Sequence, residues 1–194
     1  MPPEQTVSLL DQGNLRFTQG LRAVSSSVDI DALQPLATLG QHPIATVLTC
    51  SDSRLPTETV FNLGLGSLYV LRVAGNVLTD LTLAGIEYSV RSFNVPLVLV
   101  LGHTHCGAIK TARERKFGIF QSPSTHISTL LDCVEPSLEH ELNEHAIARN
   151  NVIHQMGKVK ANSPFVEGLV SQGALEVMGA VYDMETGRVT FMRG

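Results

Sequence analysis

Tryptophan is missing from this 194-residue chain, aromatic residues of all kinds make up only 5%, and cysteine occurs three times. An odd and small number of cysteines excludes a complete intrachain disulfide framework, which leaves reduced thiols or thiolate metal ligands as the natural reading. Charge is also scarce, at 16% of residues with a net charge of −4, so the electrostatic footprint of a nucleic-acid binder is absent. Nowhere does the sequence approach the roughly 18 consecutive apolar residues that a membrane-spanning helix needs. Its start, Met1-Pro2-Pro3-Glu4-Gln5, has no basic region followed by an apolar run. The expectation is a soluble cytoplasmic protein, or one in an organelle or microcompartment if a targeting segment has been removed. Against these scarcities stands a 43% hydrophobic content, enough for a substantial core and too much for a disordered chain.

Apolar periodicity divides the chain into alternating elements. Val7, Leu10, Leu15 and Phe17 recur at roughly helical spacing between Pro3 and Leu21, with Gly13 as an interruption and Gly20 as a stop. A loop at Val24–Ser27 and a short helix carrying Ile30, Leu33 and Leu36 follow. Residues 1–40 thus form an N-terminal helical arm. Ile44–Thr49, Leu68–Val73 and Pro96–Gly102 are short apolar, mainly β-branched or leucine runs that predict buried strands. Helices are predicted over Leu81–Phe93, Cys106–Lys116 and Ser137–Lys160, the last with Leu142, Ile147 and Ile153 as spaced apolar positions. Ala174–Tyr182 reads as a further strand, with a turn at Asp183–Gly187 and a return from Arg188 to Met192. Gly64-Leu65-Gly66-Ser67 precedes a strand instead of opening a helix, so it reads as a turn and not a phosphate loop. Strands alternating with helices give an α/β fold, a mostly parallel central sheet flanked by helices. Residues 41–194 make one domain with the arm attached.

The chemistry gathers where such a sheet binds ligands, beyond the carboxyl ends of its strands. Cys50 and His103 each sit at a strand's end, and Cys106 opens the following helix, whose free N–H groups favour a thiolate. Zn2+ accepts two thiolates and an imidazole and keeps a fourth position open, the mark of a catalytic centre. Two thiolates cancel the formal charge of the metal, so a bound water is less acidified than under three imidazoles, and a neighbouring group that favours hydroxide becomes useful. Asp52 and Arg54, in Cys50-Ser51-Asp52-Ser53-Arg54, are placed to supply it. An ionised Asp52 can accept a hydrogen bond from the zinc ligand or itself close the fourth position, and Arg54 can pair with it and hold it off the metal.

Cys50-Ser51-Asp52-Ser53-Arg54 together with Gly102-His103-Thr104-His105-Cys106-Gly107-Ala108 resembles the double signature of the β-carbonic anhydrases, in their plant-like branch. Arg72-Val73-Ala74-Gly75-Asn76, Tyr182-Asp183 and Thr186-Gly187 extend the similarity over about Gln41 to Val189. The resemblance implies that Cys50, His103 and Cys106 hold zinc and that Asp52 and Arg54 form a catalytic dyad. It also implies that Gln41, Tyr69, Tyr88 and the Gly107 backbone line the substrate pocket. The implied activity is reversible hydration of carbon dioxide to bicarbonate and a proton by zinc-bound hydroxide. A homodimer or larger homo-oligomer is implied too, each pocket borrowing residues from its neighbour. Ser67 and Val73 depart from the family pattern, away from the metal ligands.

Blander and rival readings apply to several of these residues. Asp52 and Arg54 also suit a structural ion pair, Cys133 suits helix packing, and His105 suits a solvated or structural role as well as proton transfer. His126, His140, His145 and His154 fall in a polar helical region and read as solvated. At the level of function, the same fold and metal set serve a carbon disulfide or carbonyl sulfide hydrolase, or a zinc protein without turnover. The retention of Asp52, Arg54, Gln41 and Tyr88 speaks against the last.

Overall fold

The computed structural model describes residues 1–21, 30–138 and 143–192. The readings at Val24–Ser27, His140 and Leu142 lie outside the described residues. At its centre is a five-stranded sheet built from β1 (Ala45–Thr49), β2 (Leu68–Arg72), β3 (Leu97–His103), β4 (Glu176–Tyr182) and β5 (Val189–Met192), in the order β2-β1-β3-β4-β5. The first four strands run parallel and β5 closes the edge antiparallel. Every residue of β1 and β3 is buried, which is why both read as continuous apolar runs without alternation.

Two cores lie on the two faces. Val47, Leu99, Leu101 and Met178 pack on one side with Leu10, Leu131 and Ile147, while Leu48, Val98, Val100 and Val177 pack on the other with Ile86, Val90, Val159 and Val166. The covering helices are α1 (Pro3–Thr18), α2 (Ile30–Leu39), α3 (Thr57–Val60), α4 (Asp80–Phe93), α5 (Gly107–Lys116), α6 (Thr125–Val134), α7 (Glu144–Asn162) and α8 (Pro164–Ser171). Among the described residues no helix is long and apolar enough to cross a membrane.

Three expectations need correction. Gly13 does not interrupt α1; it lets the helix lie directly on the chain, since a Cβ there would sit 2.0 Å from the Phe61 carbonyl oxygen. One residue on, buried Asn14 donates to the carbonyls of Val60 (3.2 Å) and Gly187 (2.9 Å) and accepts from the Val189 amide (2.8 Å), so the arm is fastened to the domain. The helix expected from Ser137 begins only at Glu144, capped by Asn143, and Glu135–Leu138, with Pro136 inside it, is a separate 3-10 turn. His103 is the last residue of β3, paired with Tyr182, and does not follow the strand. Three short helices escape the periodicity reading: α3 is a single turn, while α6 and α8 are eight to ten residues long and begin at the serine caps Ser124 and Ser163.

The chain leaves β1 to form β2 on one side and returns to form β3 on the other. That reversal of direction opens a crevice between the carboxyl ends of β1 and β3. Cys50 directly follows β1, and His103 ends β3.

Candidate metal centre

Among the described residues one group of potential metal ligands converges: Sγ of Cys50, a ring nitrogen of His103 and Sγ of Cys106, all within 4.8 Å of one another. Tetrahedral zinc with sulfur at about 2.3 Å and nitrogen at about 2.0 Å needs ligand atoms roughly 3.5 to 4 Å apart, so the set fits with little adjustment. All three residues are buried, none more than 5% exposed.

The tautomer of His103 follows from its surroundings. Its Nδ1 lies 2.8 Å from the Thr104 carbonyl oxygen, which can only accept, so Nδ1 carries the proton and Nε2 is left with a lone pair. That Nε2 is buried and has no hydrogen-bond partner. A buried nitrogen without a partner, facing two cysteines, is the donor arrangement a soft divalent metal completes.

The two thiols are tightly coupled. Cys50 is driven toward the thiolate by the hydrogen bond from Cys106, against the opposing effect of burial, with further help from His103 and from the Asp52 and Gly75 amides. The same bond to Cys50, together with burial, pushes Cys106 up, while the Ile109 and Ala108 amides at the start of α5 act in the thiolate's favour. Gly75 N–H donates to Cys50 Sγ at 3.3 Å, from a backbone with φ of +68° that favours glycine.

The loop after Cys50 carries Asp52 and Arg54. Arg54 Nε donates to Asp52 Oδ1 at 2.9 Å and its NH2 to Oδ2 at 2.7 Å, while the Arg54 amide also donates to Oδ1 at 3.0 Å. The Arg54 side-chain bonds are the main reason the Asp52 carboxyl is held far below the usual carboxylate range. Arg54 also reaches the His105 carbonyl at 3.2 Å, and His105 itself has a φ of +56° with its Nε2 3.1 Å from Glu185 Oε1. His105 and His145 are therefore not simply solvated: their rings meet edge to face at 5.9 Å. Cys133, as expected, packs against the core from α6.

Arg72 is a part the sequence reading assigned no role. It ends β2 and donates to the carbonyls of Cys50 (3.3 Å) and Asp52 (2.6 Å), so a fixed cation holds the ligand loop. Its signal was its place at a strand's carboxyl end, level with Thr49.

The structure thus gathers Cys50, His103, Cys106, Asp52 and Arg54, with Gly107 opening α5 beside them. It does not bring Gln41, Tyr69 or Tyr88 to the same place within one chain. Gln41 is exposed ahead of β1, at the opposite end of that strand from Cys50. Tyr69 pairs with Thr46, three rungs below the Thr49–Arg72 level, a separation of about 10 Å. Tyr88 is 57% exposed and stacks with Tyr69 (6.2 Å) and Phe93 (5.9 Å) in an aromatic cluster of its own.

A family model described as carbonic anhydrase matches residues 45–189. Carbonic anhydrase 2 of Mycobacterium tuberculosis is 32% identical over 184 residues, covering 92% of this chain and 87% of the relative. The carbonic anhydrase of Mycolicibacterium smegmatis is 32% identical over 187 residues, covering 93% and 88%. Among solved structures, the Coccomyxa β-carbonic anhydrase in complex with acetazolamide superposes with a TM-score of 0.71 at 28% identity, over 84% of this chain and 78% of that one. One of two tetrameric β-carbonic anhydrases of Sordaria macrospora shares the fold with a TM-score of 0.71 at 24% identity, over 84% and 87%. The metal set at the strand ends and these matches lead to one conclusion: the chain belongs to the β-carbonic anhydrases, zinc lyases that interconvert carbon dioxide and bicarbonate.

Proposed function

We propose that Asp52 and Arg54 are the working dyad of this carbonic anhydrase and that Gln41, Tyr69 and Tyr88 complete the pocket of a second copy in a homodimer. The observation that carries the first part is the two-point grip of Arg54 on Asp52, in the same loop as Cys50. Cys50, His103 and Cys106 would hold zinc, which when bound would supply the Lewis acidity that activates water toward carbon dioxide near neutral pH. With both oxygens committed to Arg54, the Asp52 carboxylate stays ionised and aligned. Its remaining lone pairs accept a hydrogen bond from the nucleophile and orient it. Arg54 keeps Asp52 turned away from Cys50, His103 and Cys106, so that these three residues alone would hold the metal. The Gly107 amide, at the positive end of α5, is placed to meet developing negative charge, while the Ala108 and Ile109 amides serve the Cys106 sulfur.

The second part rests on separation. Tyr69 and Phe93 are half-buried beneath Tyr88, which is 57% exposed, and Leu81 at the start of the same helix as Tyr88 is 85% exposed, so α4 turns an apolar face outward. An apolar face of this kind suits burial against an identical face, and C2 pairing is the commonest way to achieve it. A cytoplasmic setting keeps the thiolate ligands reduced and suits the absence of a disulfide among the described cysteines.

Stopped-flow hydration of carbon dioxide by zinc-loaded protein tests the reading, with carbon disulfide as the counter-substrate. Hydration that rises with pH across the neutral range supports it. Full zinc occupancy with turnover of the sulfur substrate alone would replace it with the hydrolase reading.

A further inference from the structure

The buried stripe of α7 contains two amides where an amphipathic helix would place apolar residues. Asn151 and Gln155 are both fully buried, one turn apart, in line with Ile147 and Val159. The helix lies close enough to reach the sheet because β3 carries Gly102 beneath Val152, where a Cβ would approach Val152 Cγ2 to 2.6 Å.

Each amide orientation is forced by its neighbours. The Leu78 amide can only donate, so it takes Gln155 Oε1 (2.9 Å), which turns Gln155 Nε2 toward the Cys133 carbonyl and Asn151 Oδ1 (both 3.1 Å). With its oxygen so engaged, Asn151 presents Nδ2 to the Gly75 carbonyl at 2.8 Å. Gly75 is the residue whose N–H donates to Cys50 Sγ. Its left-handed backbone is further confined by Val134 and Ala108, which a Cβ would meet at 3.2 and 3.3 Å.

We propose that Asn151 is a positioning residue for the metal centre, acting through Gly75 to aim an N–H at the Cys50 sulfur and so set how much charge that thiolate gives to the metal. The proposal rests on zinc being held by Cys50. An amide bonded to a ligand sulfur lowers the energy of its lone pair and weakens its donation, which leaves the metal a stronger Lewis acid. This offsets the charge cancellation that a two-thiolate site imposes. A purely structural role, satisfying the backbone of the 3-10 turn at Ala74–Asn76, predicts lower stability and nothing at the metal.

Cobalt substitution separates the two. Cobalt-loaded wild type is expected to show a sulfur-to-metal charge-transfer band; its absence would sink the zinc reading and this inference with it. In Asn151→Leu and the milder Asn151→Ser the band is expected to move to longer wavelength as sulfur donation rises, while the zinc dissociation constant rises about tenfold or more because Cys50 is no longer held in place and its thiolate is more easily protonated. Ile147→Val, on the same stripe, is expected to lower stability with band and affinity unmoved. An unshifted band and unchanged affinity in folded Asn151 variants would overturn the inference while leaving the zinc site standing. Should neither variant fold, wild type loaded with cadmium-113 and labelled with nitrogen-15 at glycine decides. A through-bond coupling between the metal and the Gly75 amide supports the proposal, and no coupling overturns it.

Discussion

Arg54 holds Asp52 by both carboxylate oxygens, Nε to Oδ1 at 2.9 Å and NH2 to Oδ2 at 2.7 Å, while its own side chain remains 55% exposed. Asp52 is only 16% exposed, but water around Arg54 screens the pair and limits what it adds to stability. On the proposed reading its geometry serves catalysis. Lysine offers one point charge and no fork, so Arg54→Lys is expected to retain zinc and fold with a near-normal melting temperature while kcat falls about tenfold or more. Asp52→Asn removes the carboxylate and is expected to cost about a hundredfold or more in hydration, again with zinc retained. Metal analysis beside stopped-flow assays checks both, and full activity in Asp52→Asn would remove Asp52 from the mechanism.

Removing the metal leaves the buried His103 Nε2 without a partner and the Cys50 and Cys106 thiols held only by each other and by backbone amides. Chelation is therefore expected to lower the melting temperature, and zinc at a hundredfold excess over its dissociation constant to restore about 2.7 kcal/mol. Cys106→Ser is expected to behave like the chelated protein at all zinc concentrations. Thermal unfolding as a function of free zinc provides the test, and identical curves with and without metal would contradict the assignment.

Gly13→Ala sets two magnitudes against each other. Alanine favours a helix interior by about 1 kcal/mol over glycine. Here the added methyl meets the Phe61 carbonyl at 2.0 Å, a backbone atom that cannot swing aside. Overpacking costs of about 1 to 3 kcal/mol are usual and this contact is severe, so a net loss of about 2 kcal/mol is expected by urea denaturation. A stabilised variant would mean that α1 does not dock as described.

Asp183 anchors the β4–β5 turn. Its Oδ1 accepts from the amides of Thr186 (2.9 Å) and Glu185 (2.8 Å), and these bonds, Thr186 first, lower its pKa against the opposing effect of burial. A carboxyl depressed on folding contributes stability that is present above its unfolded pKa of about 3.9 and lost as pH falls through the folded value. Asp183→Asn keeps an accepting oxygen and loses the charge. Its deficit, about 0.5 kcal/mol after allowing for solvent screening, is expected to be constant above roughly pH 5 and to shrink below roughly pH 4. Urea midpoints across that range check the sign.

Much of this was legible in the residues. Continuous apolar runs announced β1 and β3 because both strands are buried on two faces, and the cysteine and histidine at their ends marked the crevice. Other parts carried no local signal. Asn151 and Gln155 sit on a buried stripe with polar side chains, so α7 reads as a solvated helix although its partners are Gly75 and Leu78, over seventy residues away. Gly13 reads as a break because only the distant Phe61 carbonyl gives it a reason. Arg72 lies in a stretch that resembles the family, but that stretch names no role for it, since its partners belong to a loop that another strand delivers.

Gln41 and Tyr69 lie away from the metal ligands of their own chain, so the shared-pocket proposal makes a prediction that a self-contained pocket does not. Cys106→Ser disables the metal of a chain but leaves its Gln41 intact, and Gln41→Ala does the reverse. Each variant alone is expected to be nearly inactive. If Gln41 serves the neighbouring metal, every mixed dimer contains one complete pocket, because the intact metal of one chain faces the intact Gln41 of the other. Random reassortment of equal amounts makes half the dimers mixed, so about one quarter of wild-type hydration is expected to return. Were Gln41 to serve its own chain's metal, mixing would pair a metal without its glutamine and a glutamine without its metal, and no activity would return. Adding Tyr88→Asp, which places a charge in the aromatic face, is expected to yield monomers by sedimentation and to abolish the recovery. Dimers and recovery that both persist with Tyr88→Asp would show that the aromatic cluster is not the surface through which the two copies meet.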